Sequence, residues 1–419
     1  MSDFELRDTD LFAVLKALLA DELKRLRRVT EQDNFPEDWD LDTVIRPAHA
    51  ESPPISLQAD SLERFSLATR VADFFQIRES GLEDYLLRFN TLGEWVELIK
   101  EARVRGTKNL LFLTSGSTGD PKACLQNWND LVEEMAFFRQ VLTEQSTGLS
   151  SVKRIIALSP CHHIYGFLFS ALLPSILAVP VVRGLSAFSM VQGRRVQAGD
   201  LVIGFPFIWK QISRSQQPFP KGVMGITSTG PCDKAVVLQL FNQGMEQLIE
   251  IYGSSETSGL GYRLHPDHAF ELLPRWQPVD GRADTLMDRR THVQFPLNDH
   301  LAWQTERQFF PQGRRDHAVQ VAGTNVFPEA VAEKLRQLPE VQAVTVRLMS
   351  AAEGDRLKAF VVPVDSTVAA SVLRQHLTSW CKTHLSAAEC PQVFTFGATL
   401  PQNAMGKAAD WSIIHQQDS

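Results

Sequence analysis

Between residues 109 and 252 the chain repeats one pattern: a short apolar run stops at Gly, Ser, Thr or Pro, and a segment of helical periodicity follows. The runs fall at 110–113, 155–158, 201–203, 223–226 and 248–252. Short, continuously apolar runs suit strands covered on both faces, and the intervening helices supply the crossovers that parallel pairing needs. An α/β fold with a mainly parallel sheet is therefore expected, with ligands gathering where the strands end. The 419 residues exceed what one hydrophobic core organises, which favours two domains.

The first hundred residues read as helical. Over 10–27 the apolar residues Leu11, Val14, Leu15, Leu18, Leu19 and Leu23 follow a helical period. After Gln312 the pattern restarts on a smaller scale. A strand is expected at 318–321, a helix from Pro328 to about 338, strands at 341–348 and 357–364, a helix over about 368–384 and a last strand at 393–396. The division this suggests is a large domain over 1–312 and a small α+β domain over 313–419.

The formal net charge of -7 gives no general attraction to nucleic acid or to an anionic bilayer. The N-terminus is acidic and polar where a signal peptide would be basic and then apolar. The most apolar stretch, 167–182, contains Pro174 and Pro180 and reads as a buried helix followed by a strand, not a membrane span. Cys124, Cys161, Cys232, Cys381 and Cys390 show no CxxC spacing, so neither a zinc site nor a disulfide framework is indicated. A reduced, cytoplasmic setting is expected.

The run at 110–113 leads into Thr114, Ser115, Gly116, Ser117, Thr118, Gly119, Asp120, Pro121 and Lys122. The two glycines allow a tight turn and close backbone approach, and hydroxyls and free N–H groups can then converge on a polyphosphate beside a lysine. A Walker A loop fails at two positions, because Pro121 stands where the second glycine belongs and Ala123 where the magnesium-binding hydroxyl belongs. The loop resembles instead the [ST]-[SG]-G-[ST]-T-G-x-P-K-G signature of the adenylate-forming superfamily, with only the closing glycine replaced, by Ala123.

The superfamily's later motifs follow in order. Pro160 to Gly166 resembles P-x-x-H-x-x-G, which implies His163 and Tyr165 near the carboxylate pocket. Ser228, Thr229, Gly230 and Pro231 resemble the segment that lies against adenine. Tyr252, Gly253, Ser254, Ser255 and Glu256 match Y-G-x-[ST]-E; the resemblance implies Tyr252 on adenine, Ser255 at the α-phosphate or carboxylate, and Glu256 on Mg²⁺. Asp299 stands where the ribose-binding aspartate is expected, although the preceding Thr-Gly is absent. Gly313, Arg314, Arg315 and Asp316 resemble G-R-x-D, implying Arg314 on phosphate or ribose and Asp316 as the hinge between domains. Gly323 keeps the glycine of the next turn, while Gln320 replaces a common lysine. Pro401 to Lys407 resembles P-x-[TN]-x-x-G-K, making Lys407 the expected adenylation lysine on a mobile small domain.

The resemblance thus implies activation of a carboxylic acid with ATP and Mg²⁺, followed by transfer to CoA or the phosphopantetheine of an acyl carrier protein. Residues 255–263 look similar to the short ligases of aryl polyene and xanthomonadin pigment clusters, which suggests a 4-hydroxybenzoate-type acid. His163, Tyr165, Ser228 and Gly259 are the candidate pocket residues. A medium-chain fatty acyl ligase, an amino-acid adenylation domain and a non-catalytic carrier-binding homologue are the alternatives.

Overall fold

The computed structural model describes residues 4–27, 38–46, 55–115, 121–145, 152–215, 217–315, 318–350, 353–365, 367–401, 409–411 and 413. The helical period near the N-terminus becomes the helix Asp8–Arg27, whose Leu11, Val14, Leu15, Leu18, Leu19 and Leu23 are all buried. Two further helices, Ser61–Phe74 and Leu92–Val104, each begin with a capping box, Asp60 with Glu63 and Thr91 with Glu94. Each box satisfies two otherwise unpaired backbone donors, which fixes where the helix starts.

A nine-stranded mixed sheet organises the large domain. Its strands run in the order Asp299–Trp303, Gln308–Arg314, Phe270–Leu272, Ser258–Arg263, Gln247–Ser254, Met224–Thr227, Asp200–Gly204, Arg154–Ala157 and Val181–Arg183. The last five pair in parallel, and the others pair antiparallel. The sheet is thus parallel only on one side of Gln247–Ser254. The apolar run at 110–113 belongs to none of it: Asn109–Ser115 pairs antiparallel with Pro121–Asn127 in a separate hairpin, with Thr114 opposite Lys122. A short apolar run reports burial and not its partner, and the return strand follows too soon for a parallel crossover.

Strand pleating distributes the parallel residues between two cores. Ile155, Ala157, Leu201, Ile203, Ile249 and Ile251 face the N-terminal helices, while Ile156, Val202 and Leu248 face a second cluster around Trp209. Trp209, on the helix Pro206–Ser213, lies flat against Gly204 and Gly225. A β-carbon at either glycine would come within 2.9 Å of the indole, so the close packing requires the missing side chains.

Asp10, 1% exposed, ties the first helix to the sheet. It accepts from Arg7 Nε at 2.7 Å, Ser175 Oγ at 2.6 Å and Arg183 Nη2 at 2.6 Å. Removing this buried anion leaves three donors facing a hole. Asp10→Ala is expected to cost about 3 kcal/mol, read as a lower urea midpoint with an unchanged m-value.

The small domain has its own core. Strands Val341–Leu348, Leu357–Pro363 and Val393–Phe396 form a sheet backed by the helices Pro328–Arg336 and Ala370–His384, with Val331, Leu335, Val344, Val361, Leu377 and Phe394 between them. Lys358 is fully buried; its ammonium meets Glu353 at 2.9 Å, Asp410 at 3.1 Å and the Trp411 carbonyl at 2.6 Å. Hydrogen bonds from Lys358 and from the amides of Ser350 and Ile413 hold the Glu353 carboxyl down at about 2. A hairpin, Val319–Val321 with Thr324–Val326, turns through Ala322 and Gly323, both at positive φ. It lies against the large domain: a β-carbon on Gly323 would sit 3.0 Å from the Thr229 hydroxyl. Lys210 and Asp355 also bridge the two domains at 2.7 Å. Asp316 and Lys407 lie outside the described residues.

Candidate active site

The site forms where the parallel half of the sheet gives way to the antiparallel half. Met224–Thr227 and Gln247–Ser254 run side by side, the second continuing four residues beyond Glu250, the partner of Thr227. At the first end, Ser228 donates its hydroxyl to the Ile251 carbonyl at 2.9 Å, stitching the two exits together. Thr229 follows with φ 76°, a costly conformation for a β-branched residue, and its hydroxyl oxygen is buried without a hydrogen bond among the described residues. Gly230 faces the Gln320 side chain of the small-domain hairpin, and Pro231 is exposed beside it.

At the second end, Glu256 pairs with Lys122 at 2.7 Å. Partial burial raises the Glu256 carboxyl, but the Lys122 hydrogen bond, together with those of its own backbone and Ser254, outweighs it and the net displacement is downward. The same hydrogen bond raises Lys122, so the pair is fully charged at neutral pH. Gln126, which the motifs did not single out, anchors this turn by donating to the carbonyls of Ser255 at 2.6 Å and Glu256 at 3.1 Å. Its signal in the sequence was faint: a polar residue on the inward side of the return strand. Ser254 and Thr257 close the turn through their hydroxyls at 3.0 Å.

A third cluster joins distant strands. Tyr252 donates its hydroxyl to Asp299 Oδ2, and Arg314 Nη1 lies 3.7 Å from Asp299 Oδ1. Asp299 and Arg314 are register partners across their hairpin. The Tyr252 ring is fixed by Phe270 and Phe309, with ring centres 5.7 and 5.4 Å away. Burial first, and then the Asp299 charge, raise the phenol pKa, so Tyr252 stays a donor.

Among the proposed pocket residues, Tyr165 is buried with its hydroxyl 2.7 Å from the Gly204 carbonyl and 2.9 Å from the Ile226 carbonyl. Its polar atom is therefore engaged by the strand ends. His163 stands at the start of Ile164–Phe167, its ring centre 4.1 Å from that of His162. The residue is exposed, while desolvation of its ring lowers its pKa and Asp21 opposes that change. Gly259 donates its N–H to both carboxyl oxygens of Glu134 at 3.2 Å. Glu134 was also missed by motif, although a glutamate among Leu131, Met135 and Phe138 interrupts an otherwise apolar helix face. The side chains of Thr114 and Ser115, and the whole of Gly116, Ser117, Thr118 and Gly119, lie outside the described residues.

These groups fit a magnesium nucleotide. Asp299 Oδ1 is buried and accepts no hydrogen bond among the described residues, which leaves an acceptor for a ribose hydroxyl. No group of three or more metal-ligating side chains occurs among the described residues. A single carboxylate such as Glu256 suits magnesium, which is commonly held by one or two carboxylates together with substrate phosphates. If Asp299 holds the ribose, Asp299→Ala should raise the KM for ATP by about 10-fold or more and lower kcat less, since a charged hydrogen bond contributes roughly 1.5–3 kcal/mol. Pyrophosphate release at varied ATP measures both constants.

The AMP-binding enzyme family matches residues 13–283, and the AMP-binding enzyme C-terminal domain matches residues 330–407. A protein of Halorhodospira halophila named 4-coumarate–CoA ligase is 35% identical over 95% of this chain and 98% of its own length. A protein of the same name from Cereibacter sphaeroides is 38% identical over 85% of this chain and 84% of its own. Among solved structures, o-succinylbenzoate CoA synthetase of Bacillus subtilis aligns over 95% of this chain and 91% of its own, with a TM-score of 0.57 at 17% identity. The amide bond synthetase of Marinactinospora thermotolerans aligns over 96% and 92%, also with a TM-score of 0.57, at 14% identity. The two structures share the fold. Among the described residues no helix is long and apolar enough to cross a membrane. The chain belongs to the AMP-binding enzyme family and is an AMP-forming acid–thiol ligase.

Proposed function

We propose that this ligase activates a hydroxylated aryl acid of the 4-hydroxycinnamate class and transfers it to CoA. The observation that carries this reading is the pair of preformed clusters, Lys122 with Glu256 and Tyr252 with Asp299 and Arg314, at adjoining strand ends. Their companion is the name shared by the relatives that span nearly the whole chain.

A carboxylate is unreactive toward thiols because it lacks a leaving group. Its oxygen attacks the α-phosphorus of ATP, pyrophosphate departs, and the acyl-adenylate then carries AMP as a leaving group for the thiol. The chain's task is to hold two anions in line and to stabilise charge as it moves. Tyr252, Asp299 and Arg314 would fix the nucleoside, Lys122 the outer phosphates, and Lys407 the α-phosphate with the acid. Magnesium, bound through Glu256, would neutralise phosphate charge. Asp316 would be the hinge about which Lys407 is carried in and out.

The second reading is a hydroxybenzoate passed to a carrier protein, as in the pigment-cluster ligases that residues 255–263 resemble. A Bacillus anthracis protein named 3,4-dihydroxybenzoate–[aryl-carrier protein] ligase, 23% identical over 72% of each chain, favours it. Pyrophosphate release should be measured with hydroxycinnamates, hydroxybenzoates, fatty acids and amino acids. Thioester formation should then be followed with CoA and with a holo carrier protein. Preference for a hydroxycinnamate and CoA is expected. Preference for a hydroxybenzoate and the carrier would establish the second reading, and release with fatty acids alone would overturn both.

A further inference from the structure

The helix Trp128–Gln145 packs on the sheet through an apolar face, yet places Glu134 on it, 8% exposed. A β-carbon on Gly259 would come within 2.5 Å of Glu134 Oε1, so the glycine is what admits this carboxyl. Both groups line a cavity of ≈ 250 Å³, together with Phe137, Leu273, Pro274 and Arg275. Gly259 is the register partner of Gly253, so the cavity lies one strand over from Tyr252 and three residues along from Glu256. Phe137, Leu273 and Pro274 give it an apolar wall that carries one buried carboxyl and meets a charged rim, and it adjoins the turn that holds the candidate nucleotide residues.

We propose that this cavity receives the aryl end of the acid and that Glu134 is its specificity residue, accepting a hydrogen bond from the phenolic hydroxyl. The inference rests on the aryl-acid reading above. A carboxylate offers about four lone-pair sites, and the Ser258 hydroxyl together with the Gly259 amide leaves capacity for an incoming O–H. Arg275 Nη1, also in the cavity wall, is buried without a hydrogen bond among the described residues, a second polar atom left for a ligand.

The surrounding charges largely satisfy one another. Asp130 is held by Arg275 at 3.1 Å and by Arg290, and Arg275 meets Asp288 at 2.7 Å. Glu133 and Arg289 complete the charged rim. Burial raises Glu134 to about 7 against the lowering effects of Ser258, Gly259 and Arg275, so its charge changes within the working range. The unfolded chain releases this proton in the ordinary carboxylate range and the folded chain only near neutrality. Stability is therefore lost as pH rises between those two values.

The test compares wild type, Glu134→Gln and Glu134→Leu with 4-hydroxycinnamate and cinnamate, by pyrophosphate release. Wild type should favour the hydroxylated acid by about 10- to 100-fold in kcat/KM, the range of a hydrogen bond to a charged group. Glu134→Leu should lose most of that ratio, with cinnamate falling far less. In wild type the ratio should rise with pH through neutrality as the stronger, charged acceptor forms, and in Glu134→Gln it should stay flat. Glu134→Gln should also raise the melting temperature near pH 8 and leave it nearly unchanged near pH 5. An equal fall on both acids, with the pH response retained in Glu134→Gln, would overturn the assignment while leaving the aryl-acid ligase intact. Failure of wild type to release pyrophosphate with any aryl acid would overturn both.

Discussion

Replacing Lys407 by alanine is expected to lower acid-dependent pyrophosphate release about 10³-fold, the upper range for removing one preorganised donor from a charge-developing centre. The expectation follows from what the adenylation step demands. Two anions must approach within bonding distance, and negative charge then shifts from the carboxylate onto the phosphate oxygens. A cation placed between them acts most strongly at that moment, so its loss should appear in kcat and in kcat/KM together. The segment 402–408 lies outside the described residues, but its flanks are fixed: the Ala409 amide donates to the Pro401 carbonyl at 3.0 Å, and Lys358 grips Asp410 and the Trp411 carbonyl. Attack of the thiol on a presynthesised acyl-adenylate needs no such bridge, so that half-reaction should stay within a few-fold of wild type. Equal loss in both halves would assign Lys407 to the folding of the small domain instead.

Glu256→Gln is expected to reduce kcat/KM for the magnesium nucleotide about 10²-fold, at the lower end of the same range, and to move the magnesium dependence to higher concentration. Glutamine nearly preserves the shape of the side chain, and Gln126 contacts only the backbone of this turn, so the fold should be retained. What changes is charge. The wild-type carboxyl is displaced below the ordinary carboxylate range because Lys122, with hydrogen bonds from its own backbone and Ser254, outweighs the cost of its burial. In the variant Lys122 loses its partner and the site loses its metal-attracting anion. A magnesium titration of the initial rate separates the two consequences: a rate restored by excess magnesium indicates a metal role, and a rate that stays flat indicates that Glu256 only positions Lys122.

Local order was legible because it repeats within a few residues. The burial stripe of Asp8–Arg27, the apolar runs of four of the five parallel strands and the helices of the small domain all follow from side-chain periodicity. The motifs likewise named Tyr252, Glu256, Asp299, Arg314 and Lys122, and the fold brings them into two clusters. Pairing between distant segments was a different matter. The run at 110–113 has the texture of a parallel strand, yet it forms a hairpin with its immediate successor, since apolarity records coverage and not the neighbour that provides it.

The same reason hid Gln126 and Glu134. Gln126 acts on a turn 129 residues away, and Glu134 meets an amide 125 residues away. Tyr165 came from a motif, but only the packed strands reveal that Gly204 and Ile226 engage its hydroxyl. The sequence alone therefore determined the class of fold, the family chemistry and the polar residues that the fold gathers into the two clusters. The tertiary structure decided which strands adjoin, which polar atoms are already engaged, and where a buried carboxyl is left beside a cavity. Hydrogen bonding and desolvation depend on neighbours in space, and folding chooses those neighbours across more than a hundred residues of chain.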